Sequence, residues 1–201
     1  LAQARPDLCV TVLAPGFVRT ELVDGLIQAG RLKPEGALGK IPLGRMAAPE
    51  EMAQALYFLA SSGAAPLRGQ ILAVNGGSSV HGGSQPLPPA TLQPLPLDTP
   101  LQLEVCGGEG EAWQGVAPTA AEQPHYAACL DLSPLQGEPA GVLQAVHAAA
   151  ARFAGRYTQQ ASLTLLLPAT RPRRWQDAGD GAAARMLVST LACEWGSRAL
   201  R

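Results

Sequence analysis

Four places in this 201-residue chain carry residue types that could do chemistry. The first is Val10-Thr11-Val12-Leu13-Ala14-Pro15-Gly16-Phe17-Val18-Arg19-Thr20-Glu21-Leu22. Its apolar, β-branched start reads as a buried strand that breaks at Pro15-Gly16. Pro15 fixes φ and has no N–H, and Gly16 lets another group approach the backbone closely. Thr20 then puts a hydroxyl within hydrogen-bonding range of anything held at that strand end. The second place is Gly107-Gly108-Glu109-Gly110, after an alternating stretch at 101–106. Glycine turns can offer backbone N–H groups to a phosphate. Here the GxGxxG spacing fails at Trp113, and a plain turn is the simpler reading. The third is Asp131, at the end of a short apolar run. The fourth is a basic knot of Arg171, Arg173, Arg174 and Trp175, which could touch a phosphate or a nucleic acid but reads more simply as a solvated loop.

Composition narrows the classes. Hydrophobic residues make up 47% and charged residues 15%, as suits a globular α/β protein. A net charge of −1 gives no steering toward nucleic acid or anionic lipid. No apolar run is long enough to span a bilayer. Arg5, Pro6 and Asp7 interrupt any signal-peptide core. Cys9, Cys106, Cys129 and Cys193 are scattered, as are His81, His125 and His147, so no metal site is expected. Buried free thiols in a reducing cytoplasm are the simpler reading.

The elements that must position these residues follow from periodicity. Residues 21–40 alternate short apolar pieces with Gly25, Gly30, Gly36 and Gly39. Residues 49–62 read as a helix, with Pro49 at its first position and Glu50 and Glu51 in its first turn. Met52, Ala55, Leu56 and Leu59 form its expected buried stripe, and Gly63 its left-handed stop. Residues 70–75 read as a buried strand closed by Gly76-Gly77. Six of the 18 prolines fall in residues 78–100, which read as an extended linker. Beyond it come strands at 101–106, 126–132 and 162–167. A helix at 139–153 carries Val142, Val146, Ala149 and Phe153 on one face, with Gly155 past its end. A helix at 180–195 is capped by Asp180 and carries Leu187, Leu191 and Trp195. This order indicates a parallel sheet.

Three blocks together resemble the short-chain dehydrogenase/reductase family. They are the Pro15-Gly16 segment, then Ile41-Pro42-Leu43-Gly44-Arg45-Met46-Ala47-Ala48-Pro49-Glu50-Glu51-Met52-Ala53 with Tyr57-Phe58-Leu59-Ala60-Ser61, and then Gly69-Gln70-Ile71-Leu72-Ala73-Val74-Asn75-Gly76-Gly77. The resemblance implies an α/β fold: a Rossmann-like parallel sheet with flanking helices, incomplete or split into two partial units. It implies NAD or NADP as cofactor, with Pro15, Gly16, Val18 and Thr20 at the nicotinamide end. It also implies a small carbonyl or alcohol substrate, 3-oxoacyl reductase-like activity in the parent, a homo-oligomer built on the closing helix and strand, and a cytoplasmic location. Residues 21–40 correspond to the family's mobile substrate lid, although an ordinary surface connection fits them too.

Residues 1–80 are then expected to be the C-terminal part of one reductase-like domain, and 81–98 a Pro/Gly-rich linker. Residues 99–201 are expected to be a degenerate N-terminal part of a second Rossmann-like unit. Leu191-Ala192-Cys193-Glu194 before Arg198-Ala199-Leu200-Arg201 resembles the helix that leads into the Pro-Gly strand, so the chain reads from the middle of one copy to the middle of a second. That second copy lacks the family's chemistry. The proton-transferring Tyr-x-x-x-Lys occurs nowhere, and its positions fall on Asp177 and Gly181. Asp131 resembles an adenine-contacting aspartate but serves equally as a strand-end cap. With 162–167 taken as the fourth strand, Pro168-Ala169-Thr170 stands where the asparagine-rich turn belongs. No catalytic residue is therefore assigned. The alternative is a non-catalytic module that braces a reductase, as in modular polyketide ketoreductases.

Overall fold

The computed structural model describes residues 10–81, 85–90, 92, 98–107, 126–136, 141–168 and 174–200. Half of the expected linker, together with Gly108, Gly110, Trp113, Arg171 and Arg173, lies outside the described residues. The fold is α/β, with two small parallel sheets and flanking helices. It divides into two units, Leu1–Pro89 and Ala90–Arg201.

In the first unit, β1 (Val12–Pro15) pairs in parallel with β2 (Ile71–Val74), from Val12 opposite Ile71 to Pro15 opposite Val74. Between them the chain forms α1 (Glu21–Gln28), α2 (Glu35–Leu38) and α3 (Pro49–Ala60). Helix α1 is an addition to the sequence reading, which saw only glycine-broken pieces in 21–40. The Thr20 hydroxyl accepts from the Val23 N–H at 3.3 Å, capping the helix, and Arg19 pairs with Asp24 at 2.6 Å. Gly30, at φ +67°, ends it in the left-handed region.

Helix α3 corrects the expectation twice. It ends at Ala60, because the Ser61 hydroxyl bonds back to the Phe58 carbonyl at 2.7 Å and residues Ser62–Leu67 continue as a 3-10 turn containing Pro66. Gly63 sits inside that turn, and the left-handed glycine is Gly69, at φ +75°. The expected buried stripe is also thin: Met52, Ala55 and Leu59 are only half-buried, and Leu56 is 54% exposed. A sheet of two strands offers a helix too little surface to bury a full stripe. Among the described residues of this unit, the buried hydrophobics are Ile41 and Ala64.

The second unit has a larger core. Strands β3 (Leu101–Cys106), β4 (Tyr126–Asp131) and β5 (Ala161–Leu165) form a parallel sheet in the order β3-β4-β5. A short α4 (Ser133–Gln136) follows β4, and α5 (Val142–Arg156) crosses to β5. The predicted face of α5 is buried throughout, at Val142, Val146, Ala149 and Phe153. Gly155, expected past its end, lies inside it. Helix α6 (Trp175–Trp195) starts before Asp180, which is therefore interior rather than a cap. Asp177 in the first turn favours the positive helix end, and Arg174 binds its carboxylate at 3.0 and 3.3 Å. Phe153 packs against Tyr157 and Trp195, with ring centroids 5.2 and 5.6 Å apart. After α6, Ala199 turns at φ 53° and Leu200 bridges Ala161 in parallel.

In this sheet β4 is the central strand, between β3 and β5, and Asp131-Leu132-Ser133 stands at its carboxyl end.

Candidate functional site

The Pro15–Thr20 turn leaves the carboxyl end of β1, beside the carboxyl end of β2. In open parallel sheets, ligands settle in crevices outside those strand ends. The Gly16 N–H donates to the Val74 carbonyl at 3.1 Å, which ties the turn to the end of β2. Gly16 is required by close approach: a Cβ there would lie 2.6 Å from the Asn75 Cα. Its first role in this fold is thus to let β1 and β2 converge.

Phe17, Val18 and Arg19 are then held from the other side. The Ala47 N–H donates to the Phe17 carbonyl at 2.9 Å, and the Arg19 N–H to the Ala47 carbonyl at 2.8 Å. These two bonds bracket Val18, which bridges Ala47 in parallel. Among the described residues, none accepts a hydrogen bond from the Val18 N–H. The Thr20 hydroxyl accepts at the helix cap and keeps its own proton to donate. The turn thus presents an unspent amide and a hydroxyl donor at one strand end, a donor set that fits a carboxamide. Pro15 itself closes the strand and offers no donor.

Sequence reasoning missed what anchors Ala47. Arg45 binds Glu51 with two bonds, Nη1 to Oε2 at 2.7 Å and Nη2 to Oε1 at 2.8 Å, and Nη1 also donates to the Met46 carbonyl at 3.2 Å. Glu51 in turn accepts from the Ala48 N–H at 2.7 Å, the carboxylate half of a capping box. The side-chain bond to Glu51, and the Glu51 charge, hold the Arg45 guanidinium above its ordinary pKa against the opposing effect of burial. The signal available was a carboxylate three residues after the helix N-cap. Asn75 closes the other wall: its Oδ1 accepts from the Gly77 N–H at 3.0 Å and its Nδ2 donates to Ser79 at 2.8 Å. Gly76 and Gly77 have φ +62° and +85°, and side chains there would collide with Ile41 and Pro42.

In the second unit the matching strand ends are filled from within. The Leu132 N–H donates to the Cys106 carbonyl at 2.8 Å, and Gln136 Nε2 donates to the Gly107 carbonyl. Gly107 has φ +69°, and a Cβ there would lie 2.7 Å from the Ser133 nitrogen. Asp131 is 2% exposed, accepting from the Ser133 N–H at 2.9 Å and from Arg152 Nη2 at 2.9 Å. Burial alone would raise its pKa, but the bonds from Ser133 and Arg152 outweigh it, and the carboxyl lies below its ordinary value. These partners match the strand-end-cap reading of Asp131. Asp177, at the position counted for the tyrosine, is ion-paired to Arg174. Among the described residues no cluster of three His, Cys, Asp or Glu could hold a metal, and no helix is long and apolar enough to cross a membrane.

The family match lies within the first unit. Residues 5–79 match the family described as enoyl-(acyl carrier protein) reductase. The chain is 47% identical over 68 residues to an uncharacterized short-chain type dehydrogenase/reductase of Sinorhizobium fredii, covering 34% of this chain and 12% of that protein. It is 43% identical over 71 residues to a 3-oxoacyl-[acyl-carrier-protein] reductase of Thermotoga maritima, covering 35% and 28%. A Pseudomonas aeruginosa protein of the same name is 46% identical over 70 residues, covering 35% and 27%. The chain therefore spans less than a third of these relatives. No solved structure matches it.

Proposed function

Because residues 5–79 are a segment of the short-chain dehydrogenase/reductase family, we propose that this chain supplies the nicotinamide end of an NAD(P)-dependent oxidoreductase acting on a small carbonyl or alcohol. A 3-oxoacyl thioester is the first substrate class to try. The observation that carries this reading is the bracketed turn: Ala47 fixes Val18 on both sides and leaves its N–H free beside the Thr20 hydroxyl. Pro15, Gly16, Val18 and Thr20 would hold the carboxamide end of the cofactor, which supplies or accepts the hydride. Val18 would donate from its backbone and Thr20 from its side chain, while Pro15 and Gly16 shape the approach. The 201 residues contain no Tyr-x-x-x-Lys, so the proton donor that the resemblance implies is not among them.

For residues 99–201 we propose a supporting, non-catalytic role, joined to residues 1–80 through the linker at 81–98. Their strand ends are occupied by Asp131, Ser133 and Gln136. A strand order matching positions one, four and five of a doubly wound sheet fits a degenerate second copy. The Sinorhizobium relative adds support: a match of 68 residues is 12% of it, whereas 71 residues are 28% of the Thermotoga protein, so it is about twice as long. In the first unit Tyr57 is 81% and Ile71 69% exposed, and we read these exposed apolar side chains as ones covered by a second copy in a cytoplasmic homo-oligomer.

A chimera tests the reading. Residues 5–79 replace the matching segment of the Thermotoga 3-oxoacyl reductase. The chimera is expected to reduce a 3-oxoacyl thioester with NADPH, and Thr20→Ala to weaken cofactor binding at least several-fold. A folded chimera that binds no nicotinamide dinucleotide contradicts it.

A further inference from the structure

Cys106 and Cys129 are nucleophiles that the proposed function leaves unused. The register sets Cys106 opposite Asp131 and Glu104 opposite Cys129. Alternation along the strands therefore puts both sulfurs on one face of the sheet. They touch there, Sγ to Sγ, at 3.9 Å. The two differ in access. Cys106 is half-buried, while Cys129 is buried in the cluster with Ala150, Phe153 and Trp195. Burial, then the neighbouring Cys106, Glu104 and Asp131, push the Cys129 thiol up to about 12. Cys129 is thus protected and unreactive toward an outside reagent, and Cys106 is the accessible member.

We propose that Cys106 and Cys129 are a redox pair: Cys106 attacks a low-molecular-weight disulfide, and Cys129 resolves the product into a cross-strand disulfide between β3 and β4. In the first step the Cys106 thiolate attacks one sulfur of RS–SR. A Cys106–S–SR bond forms, the S–S bond of the reagent breaks, and RS⁻ departs. In the second step Cys129 attacks the Cys106 sulfur as its proton passes to the second departing RS⁻. Two protein thiols are oxidised to one disulfide, and RS–SR is reduced to two RSH. The pairing at van der Waals distance offsets the weak acidity of Cys129, because the second attack is intramolecular. The register sets the pair two residues out of step on neighbouring strands, so closing the sulfurs from 3.9 Å to about 2.05 Å takes a local shift of β3 against β4 as well as side-chain rotation. The bond would join residues 23 positions apart and restrict the unfolded chain across that loop.

The test uses the full chain with Cys9→Ser and Cys193→Ser, so that only the pair remains. The protein is equilibrated in mixtures of glutathione and glutathione disulfide, quenched with N-ethylmaleimide, and mapped by mass. The expected product lacks two hydrogens, takes up no maleimide, links the Cys106 and Cys129 peptides, and melts several degrees higher than the reduced form. Cys129→Ala is expected to accumulate a glutathione adduct on Cys106, and Cys106→Ser to leave Cys129 unmodified. A folded chain that stops at the Cys106 adduct, or keeps both thiols free in the most oxidising mixture, overturns the proposal. So does modification of Cys129 in the Cys106→Ser variant.

Discussion

The two units differ in what their residues are committed to. The first holds the Pro15–Thr20 turn and the family match, yet none of its helices contains a buried residue apart from Ala64 in the 3-10 turn. The second has two buried clusters and an aromatic stack, yet among the described residues its strand ends are occupied by Asp131, Ser133, Gln136 and Arg152. The family match, over residues 5–79, lies within the unit that carries the turn. The second unit needs only apolar residues of suitable volume, and many sequences satisfy that.

Mutations can break this contrast, and the largest effect belongs to the second unit. Phe153→Ala removes a ring packed between Tyr157 and Trp195, and is expected to cost about 3–5 kcal/mol. Hydrogen exchange should then show loss of protection in β3, β4 and β5, with β1 and β2 unchanged. Gly16→Ala comes next. Its Cβ would collide with backbone at Asn75, with an expected cost of about 1–3 kcal/mol confined to the β1–β2 pair.

Asp131→Asn is smaller and depends on pH. Because Arg152 is largely exposed, screening reduces the value of their pair, leaving an expected loss of about 1–2 kcal/mol at neutral pH. The folded-state pKa of Asp131 is depressed, so the carboxylate stabilises the fold above its unfolded pKa, near 3.9 for an ordinary aspartate. That contribution disappears as pH falls through the folded value. Melts of wild type and variant should differ at pH 7 and converge in strong acid. Leu56→Ala is the smallest: on a half-exposed helix face it should shift denaturant stability by no more than about 0.5 kcal/mol.

What could be read from sequence was local. The strand ending at Pro15-Gly16, the strand before Gly76-Gly77 and the buried face of α5 all follow from period and breaker residues, but the two strands, expected to be buried, contain no buried residue because a two-stranded sheet leaves them largely uncovered. Helix α1 escaped because Gly25 sits in its middle, and its stability rests on the Thr20 cap and the Arg19–Asp24 pair. The start of α6 was misplaced because Gly179 and Gly181 look like breakers, while Arg174 and Asp177 settle the helix earlier. Two features were beyond local pattern altogether. The position of β4 between β3 and β5 is a long-range pairing, and the Arg45–Glu51 tether that holds Ala47 against Val18 acts through tertiary contact.

The central claim is that cofactor contact belongs to the first unit and not to the second. Titrating NADPH at millimolar concentration into the isotope-labelled 201-residue chain, with backbone amides followed by NMR, tests it most directly. The account predicts concentration-dependent shifts at Val18, Arg19 and Thr20, with Gly107, Leu132 and Ser133 unmoved. Saturable shifts at Gly107, Leu132 and Ser133, with Val18 and Thr20 silent, would contradict it.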